Sequence, residues 1–328
     1  MPTTIVRPGQ INGAGDVRTQ FRDIAQAEVM EVFETSTIMA GRHRVINITE
    51  GQSASFPHTG RAEADYHLVG DELQGGVFKN APTKIIVDDE LLSNYFTSKI
   101  DEKMLDFNIR EPITKAMGVA LAKRFDSNVL QVGILSARSA NVVDGFPGGT
   151  VVDVAGCKTD AKKLAAGIYA VREALDNKGI SADAMFVYVT PGSYYALVQN
   201  LDAINTQWGG MGSYANGTIV KIAGIEIVMV PGNTFPNKNL ATDAAITAAA
   251  IPGMKPSNVL AKYRGDFSKT VALVMERDAV GTVKLFDVAY SVDWIPLKRL
   301  ELHVASYVIG HGKLRPECAA EITDSTAV

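Results

Sequence analysis

The chain is poor in the features that mark secreted, membrane-bound or metal-stapled proteins. Its two cysteines, Cys157 and Cys318, are far apart in the sequence, so we expect neither a disulfide framework nor a zinc site. This cysteine usage is typical of a protein in a reducing compartment. No run of 18 apolar residues occurs, which predicts no membrane span. The first ten residues lack an apolar core, so no secretory signal peptide is expected.

The chain also lacks a large excess of positive or negative charge. The 328 residues include 32 Lys and Arg against 36 Asp and Glu, which gives a net charge of −4. A mildly acidic chain is a poor candidate for gripping nucleic acid phosphates. Its 46% hydrophobic content is ample for the cores of one to three domains of a soluble globular protein.

Motifs for catalysis and for cofactor or metal binding are missing. The Gly209–Gly212 run lacks the preceding strand and following helix of a dinucleotide loop, and neither a phosphate-binding loop nor a nucleophile elbow occurs. The histidines show no metal-ligand spacing. We therefore predict no catalytic, cofactor or metal residues. Three histidines are expected to be solvated and His303 to be packed within a strand; the solvated ones are His43, His58 and His67.

A long amphipathic helix is the strongest element in the sequence. Asn108 to Arg138 carries apolar residues three or four apart, with Asn108 as N-cap and Pro112 in the first turn. The predicted stripe consists of Ile109, Ile113, Met117, Ala120, Leu121, Phe125, Val129 and Val132. At 1.5 Å per residue the helix would be roughly 45 Å long, so other elements must lie along it.

A two-stranded ribbon is predicted before that helix. His43 to Pro57 alternates like a strand, Thr59 to Gly76 is polar, and Lys84 to Asp88 indicates a returning strand. An isolated ribbon is marginal in water, so it lies on its own body, on a neighbouring copy, or remains a loose surface hairpin. We expect this ribbon and the polar arm formed by residues 1–15 to bury their surfaces only against copies of the same chain.

Helical and strand patterns are segregated along the rest of the chain. Helices are predicted after Asp16, from Asp88 to Met104, after Thr159 with Gly179 at its end, and from Thr190 to Leu201. Strands are predicted at Met185–Val189, within Thr218–Val230 around an Ala223-Gly224 turn, at Val271–Met275, and in the C-terminal part, where Leu300, Leu302 and Val304 alternate. Residues 142–157 are expected to connect domains, and residues 240–253 to form a surface insertion. The segregation favours an α+β fold.

Three groups of motifs, in this order and spacing, resemble the major capsid protein of tailed bacteriophages, closest to the short-tailed, podovirus type. The first is similar to the extended loop of that family, the second to its axial domain, and the third to its C-terminal return. The first comprises Gly51–Pro57, Gly60-Arg61 and Ala64–Tyr66; the second Val187–Pro191, Ser193-Tyr194, Ile222–Ile227 and Val230-Pro231; the third Ala279–Leu285 and Gly310–Glu317.

The resemblance implies the Hong Kong-97-like α+β fold of tailed-phage major capsid proteins, with five parts. These are an N-terminal arm and helix (1–43), an extended loop (44–86), a peripheral domain with the long spine helix (87–157), an axial domain (158–275), and return strands (276–328). The path of residues 233–256 departs from the family pattern.

The same resemblance implies a structural protein and not an enzyme. Hexamers and pentamers would tile an icosahedral shell around double-stranded DNA, in the virion, after assembly in the host cytoplasm with a scaffolding protein and a portal. No membrane or sequence-specific DNA contact is implied, and we expect association to be non-covalent. The hypothetical assembly contacts are Phe56, Arg61, Tyr66, Trp208 and Arg315, with the two arginines in intersubunit ion pairs.

Two other functions stay open at this point. An encapsulin-type nanocompartment would share the fold but load an enzyme. A two-domain cytosolic enzyme would instead need a concave polar pocket, for which the sequence offers no residues.

Overall fold

The computed structural model describes residues 17–60, 64, 66, 67, 70, 72, 75, 79–98, 100, 110–143, 145–181, 184–199, 211–213 and 218–326. The chain forms two compact units. Unit 1 takes its described residues from 1–40, 87–126 and 284–309, and unit 2 from 41–86, 127–283 and 310–328.

Helices and strands alternate irregularly along the chain. The helices whose bounds lie within the described residues are α1 (Val17–Ser36), α2 (Arg110–Ala137), α3 (Ala161–Asn177), α4 (Pro191–Gln199) and α5 (Asp243–Ala249). The strands are β1 (Arg44–Asn47), β2 (Ser53–Thr59), β3 (Asn80–Ile86), β4 (Leu91–Ser98), β5 (Thr150–Asp153), β6 (Met185–Val189), β7 (Met211–Ser213), β8 (Thr218–Ile222), β9 (Ile225–Met229), β10 (Thr270–Glu276), β11 (Val280–Ile295), β12 (Leu300–Lys313) and β13 (Ala319–Thr323).

The predicted spine helix is confirmed as α2, with Pro112 in its first turn. Asn108 and Ile109 lie outside the described residues. Its first half is amphipathic, with Met117 and Leu121 buried, although Ala120 is exposed against expectation. From Phe125 to Ile134 every residue is buried, including the polar Gln131, so the prediction of a polar face is wrong for the second half. This half of the helix is surrounded by other elements on all sides. The predicted apolar stripe identifies only one buried face and so could not show this.

Aromatic contacts form the core of unit 1. The Phe33 ring of α1 meets Phe125 of α2 edge to face at 5.8 Å between centroids, and Tyr307 of β12 at 5.9 Å. The loop after α1 is held by Asp126, whose carboxylate accepts the backbone N–H groups of Ile38 (2.9 Å) and Met39 (3.1 Å). These contacts provide the docking partner that the apolar face of α1 requires.

The region predicted as a helix from Asp88 to Met104 contains β4 at Leu91–Ser98, so the prediction is wrong for that part. Ile100 is helical, and residues 99 and 101–104 lie outside the described residues. β4 pairs antiparallel with β12, from Leu300 opposite Ser98 to Tyr307 opposite Leu91. The strand order in this sheet is β1-β11-β12-β4. The pairing partner lies far along the chain, and its hydrogen bonds outweigh the weak local preference.

His303 is packed between strands, as predicted. Its Nδ1 is 2.5 Å from the Tyr290 hydroxyl, its Nε2 is 2.7 Å from Oγ1 of Thr97, and its ring stacks on Tyr95 at 4.9 Å. The inner side of β12 is therefore the one that carries His303, Ala305 and Tyr307. The alternating Leu302 and Val304 point to the other side of the sheet and are half-buried.

Unit 2 is built on a seven-stranded sheet, in the order β5-β13-β10-β6-β9-β8-β7. The predicted strand Val271–Met275 is its buried core. Helix α3 buries the predicted face of Leu164, Ile168, Val171 and Leu175. Its N-cap is Asp160 and not Thr159, because the Asp160 carboxylate accepts the N–H of Lys162. Gly179 follows the C-cap with φ +74°.

Three further sequence predictions can be compared with the structure of unit 2. The turn between β8 and β9 is confirmed, with φ of 52° at Ala223 and 79° at Gly224. The predicted connection at residues 142–157 contains β5, which pairs parallel with β13. The predicted insertion at residues 240–253 contains α5, which Thr242 caps and whose Ile246 is buried. The small residues of this segment show no clear helical pattern, so the sequence prediction missed α5.

Candidate assembly surfaces

The predicted ribbon exists as β2 and β3, paired from Ser53 opposite Ile86 to Thr59 opposite Asn80. The predicted strand from His43 to Pro57 is two strands, β1 and β2, with a break between them. We call the β2–β3 pair the ribbon root. The hypothetical contact residue Phe56 lies in this root and is 1% exposed, and Ile85 is buried on the same side. Phe56 is therefore part of the subunit interior.

The burial of the root corrects one expectation from the sequence. Phe56 and Ile85 pack against Gly281 of β11, and Ile85 also packs against Gly312 of β12, in the same unit. The ribbon therefore does not bury its surface only against copies of the chain. The reason lies in two glycines far along the chain, which ribbon residues alone cannot reveal. Residues 1–15 lie outside the described residues.

A buried polar cluster around Glu317 lies beside the same root. Nε2 of His58 lies 3.4 Å from Oε1 of Glu317, and both side chains are almost fully buried. Glu317 also accepts hydrogen bonds from Asn141 (2.6 Å) and Arg315 (2.9 Å). Because His43 is buried as well, the prediction of solvated histidines is wrong for His43 and His58; His67 is exposed.

Arg315 lies at the edge of that network. Burial is the largest influence and acts to lower the pKa of its guanidinium, but the hydrogen bond to Glu317 together with the nearby negative charges outweighs burial, so the pKa is raised. The side chain is about one third exposed and thus reaches the surface. Because the hydrogen bond to Glu317 uses only Nε, the other N–H groups of the guanidinium can donate to a neighbouring subunit.

The remaining hypothetical contacts divide between surface and undescribed segments. Tyr66 is fully exposed. Arg61 and Trp208 lie outside the described residues. A full-size aromatic ring left in water is the kind of group that subunit contacts bury.

Sequence reasoning missed an apolar face on the sheet of unit 1. Leu92 and Phe96 of β4 are half-exposed on the side away from the helices, and Phe96 stands opposite Leu302 of β12. At the turn between β11 and β12, Leu297 is 98% exposed, and Nζ of Lys298 lies 5.6 Å from the centre of the Phe96 ring. We call Leu92, Phe96 and Leu297 the outer apolar patch. Recognising β4 as an alternating strand would have found it.

Chemical groups within the described residues do not converge on a reactive site. No cluster of His, Cys, Asp and Glu among them has the spacing of a metal site. Cys157 and Cys318 are buried free thiols, and burial raises the pKa of Cys157 to about 11. Among the same residues, no helix is both long and apolar enough to cross a bilayer.

The chain combines a spine helix (α2), a two-stranded ribbon (β2 and β3) that precedes it in the sequence, and two long strands (β11 and β12). This combination is found in a known fold of shell-forming proteins. The structure of the capsid of cyanophage P-SCSP1u is similar with a TM-score of 0.76 and 32% identity, over 88% of each chain. The fold is therefore that of Hong Kong-97-like phage capsid proteins, which are shell-forming structural proteins.

Sequence relatives define the family more narrowly. The major capsid protein of Escherichia phage T7 is 29% identical over 94% of this chain and 93% of its own length. The major capsid protein of Enterobacteria phage T3 is 28% identical over 96% and 94%. Residues 55–323 match the family model described as Gp10A-like major capsid protein, and the chain belongs to this family. Its role is structural, in the phage capsid.

Proposed function

We propose that this chain assembles as hexamers and pentamers into an icosahedral shell that encloses double-stranded phage DNA. The observation that carries the proposal is the similarity of 88% of the chain to a cyanophage capsid protein. Of the three functions predicted from the sequence, the family match favours this one over a nanocompartment or a cytosolic enzyme. We infer no catalytic activity, because the family is structural.

The outer apolar patch supports contacts between copies. Leu92, Phe96 and Leu297 expose large apolar side chains on one sheet and its turn. Fully burying an exposed side chain of this kind contributes about 1.5–3 kcal/mol, and the half-exposed Leu92 and Phe96 contribute less. In the proposed shell a second copy of the chain covers the patch.

The predicted division of labour along the chain belongs to the same proposal. The loop at 44–86, with Tyr66 near its tip, would reach over a neighbouring subunit, and the N-terminal arm at 1–43 would lace between subunits. The axial domain at 158–275 would face the capsomer axis, and the peripheral parts at 87–157 and 276–328 would form the shell wall.

The proposed partners follow from the same role. A scaffolding protein and a portal would direct assembly in the host cytoplasm, before the shell becomes part of the virion. The net charge of −4 suits a wall that confines DNA without adhering to it. No sequence-specific DNA contact is proposed.

Electron microscopy of the purified chain tests the proposal directly. We expect hollow particles or rings of five and six subunits; a stable 35 kDa monomer under all conditions would contradict it. Phe96→Ser should lower particle yield much more than it lowers the melting temperature, because Phe96 is only half-buried in the isolated subunit. Tyr169→Ser, at an exposed position on α3 in unit 2, is the matched control.

Charge reversal tests the two arginine contacts. Arg61→Glu and Arg315→Glu should each lower particle yield if the residue pairs with a neighbour. An unchanged yield for Arg61→Glu would remove it from the contacts. Arg315→Glu needs the melting temperature of the unassembled subunit beside the yield, because loss of the Glu317 pair alone destabilises the fold.

Association is proposed to be non-covalent. Particles heated in denaturing detergent should run as single subunits on a gel. A ladder of covalent multimers would contradict this part of the proposal.

A further inference from the structure

Strand β4 is an edge strand without the features that usually block further pairing. It has eight residues, contains neither a charged residue nor a proline, and lies at the end of the strand order β1-β11-β12-β4. Its register with β12 runs from Leu91 to Ser98 without a shift, so no bulge bends the strand away from a flat edge. In an antiparallel sheet, alternate residues of an edge strand direct their backbone N–H and C=O groups away from the neighbouring strand. β4 therefore presents a regular row of backbone donors and acceptors.

The other edge strands of the described sheets carry such features. β1 and β5 have only four residues each, and each contains a charged residue, Arg44 or Asp153. β7 has three residues, and the two strands of the ribbon root contain Pro57 and Pro82. Short length, charge and proline are the means by which proteins keep a sheet edge from pairing with another chain. Because β4 has none of the three, it is the edge of the described sheets best suited to such pairing.

The side chains of β4 match a second β4 in antiparallel orientation. Leu92, Asn94 and Phe96 are exposed on the outer side of the sheet. If a two-fold axis passes at Asn94, Leu92 of one copy lies opposite Phe96 of the second copy, and the two Asn94 residues lie opposite each other. Apolar side chains then pair with apolar side chains, and the two amides can donate to and accept from one another. An uncharged strand also brings no like charges together when it pairs with itself.

The register about Asn94 is the one that pairs the apolar side chains. With the axis at Ser93, Phe96 lies opposite Glu90. With the axis at Tyr95, Phe96 lies opposite Asn94. Either shift leaves the ring beside a polar or charged group, so the side-chain pattern specifies the position of the axis.

We propose that β4 is an intersubunit pairing edge. Two copies of the chain join their β4 strands antiparallel about Asn94, so that the two four-stranded sheets continue into one. A two-fold contact of this kind uses the same surface on both copies. The inference rests on the proposed shell-forming function, and it specifies how a second copy covers Leu92 and Phe96 of the outer apolar patch: the copy adds its own strand along the edge of the sheet.

Disulfide cross-linking of particles oxidised with diamide tests the contact. Asn94→Cys should give a dimer on a non-reducing denaturing gel, because opposite residues have Cβ atoms about 4.5–5.5 Å apart. Glu90→Cys is the matched control at an exposed position just before the strand. Its two copies would lie eight residues apart, roughly 26 Å, and should not link. The natural cysteines, Cys157 and Cys318, are buried and should stay unreactive.

A mixing experiment tests the register. Leu92→Cys and Phe96→Cys particles, each assembled alone, should run as single subunits, because equal positions lie four residues apart, roughly 13 Å. Particles assembled from a mixture of the two variants should give the dimer, because these positions face each other about Asn94. A dimer from either variant alone, with none gained on mixing, would overturn the register.

Hydrogen exchange distinguishes pairing along the edge from a contact with the face of the sheet only. Peptides that cover Leu91–Ser98 should exchange about tenfold more slowly in particles than in unassembled subunits. Particles that form without this slowing, or without the Asn94→Cys dimer, would overturn the pairing and leave the proposed function standing. A chain that forms no particles would contradict the proposed function. Cross-linking of the Asn94→Cys subunits in solution then decides the pairing by itself: a dimer supports it, and single subunits overturn it.

Discussion

Arg138, directly after the spine helix, donates two hydrogen bonds to the buried carboxylate of Glu321 in β13. Nε donates to Oε2 at 2.6 Å and Nη2 donates to Oε1 at 2.7 Å. Glu321 is fully buried and also accepts from Thr270 at 2.5 Å. The hydrogen bond to Glu321 raises the pKa of Arg138 despite its partial burial. The end of α2 is thereby tied to the central sheet of unit 2.

Arg138→Met should destabilise the fold strongly. It leaves the Glu321 carboxylate buried without its cation, which costs about 3–5 kcal/mol. Denaturant unfolding of the unassembled subunit measures the loss. The control is Lys115→Met, which breaks the exposed pair with Glu111 on α2 and should change stability little. Equal effects of the two variants would show that the Arg138 pair contributes little.

Asp324 should make the C-terminal end of unit 2 acid-sensitive. Burial acts to raise the pKa of its carboxyl, but hydrogen bonds from the Thr326 hydroxyl and from the N–H groups of Gly156 and Lys158 outweigh burial and lower it well below its usual value. A lowered pKa stabilises the fold above the unfolded-state pKa of about 3.9. That contribution is lost as the pH falls further, towards the folded-state value.

The measurement is thermal unfolding as a function of pH. Wild type should lose stability relative to Asp324→Ala as the pH falls below about 4, and the two curves should converge in strong acid. At pH 7 the alanine variant should be less stable by about 1.5–3 kcal/mol, the usual range for hydrogen bonds to a charged group. Parallel curves across the acid range would contradict the prediction.

Two buried tyrosines should respond in opposite directions to removal of the hydroxyl. None of the described residues hydrogen-bonds to the hydroxyl of Tyr307, and burial raises its pKa. Tyr307→Phe should therefore be neutral or stabilise by up to about 1 kcal/mol, because an unpaired buried hydroxyl is costly.

Tyr290→Phe is the matched comparison in the same unit. It removes the 2.5 Å hydrogen bond to Nδ1 of His303 and should destabilise by about 1 kcal/mol. Differential scanning calorimetry of both variants reads the difference. A Tyr307→Phe loss as large as the Tyr290→Phe loss would mean that the Tyr307 hydroxyl has a partner.

Gly149 should tolerate no side chain. A Cβ there would lie 2.2 Å from the carbonyl oxygen of Ala137, where backbone meets backbone at the end of α2. Gly149→Ala should lower stability by more than about 2 kcal/mol, since rigid neighbours cannot yield. Gly192→Ala, with open space in the first turn of α4, should be neutral or slightly stabilising. Comparable melting temperatures for the two variants would contradict this.

Elements with a strong local pattern were predictable from the sequence. Helix α3 has four apolar residues at helical spacing and a glycine behind it, and its buried face is the predicted one. The turn at Ala223-Gly224 and the strand Val271–Met275 were equally clear. Each signal lies within a few neighbouring residues, so no distant partner is needed to interpret it.

The misses share a dependence on remote partners. β4 is a strand because β12 pairs with it, and the missed outer apolar patch follows from that error. His58 is buried because Glu317 and Phe146 enclose it, far along the chain. Of the hypothetical contacts, Phe56 turned inward for the same reason, while Tyr66 lies on the surface.

The sequence by itself determined that this chain has a long helix, a two-stranded ribbon and strands in its C-terminal part, and its motifs pointed to a capsid protein. Hydrophobic period, caps and turn residues act over short distances, so they are visible without a fold. Only the tertiary structure decided which face of each strand is buried and that the ribbon root rests on its own subunit. Those outcomes depend on steric fit, such as Ile85 above Gly281 and Gly312, between residues that meet only after folding.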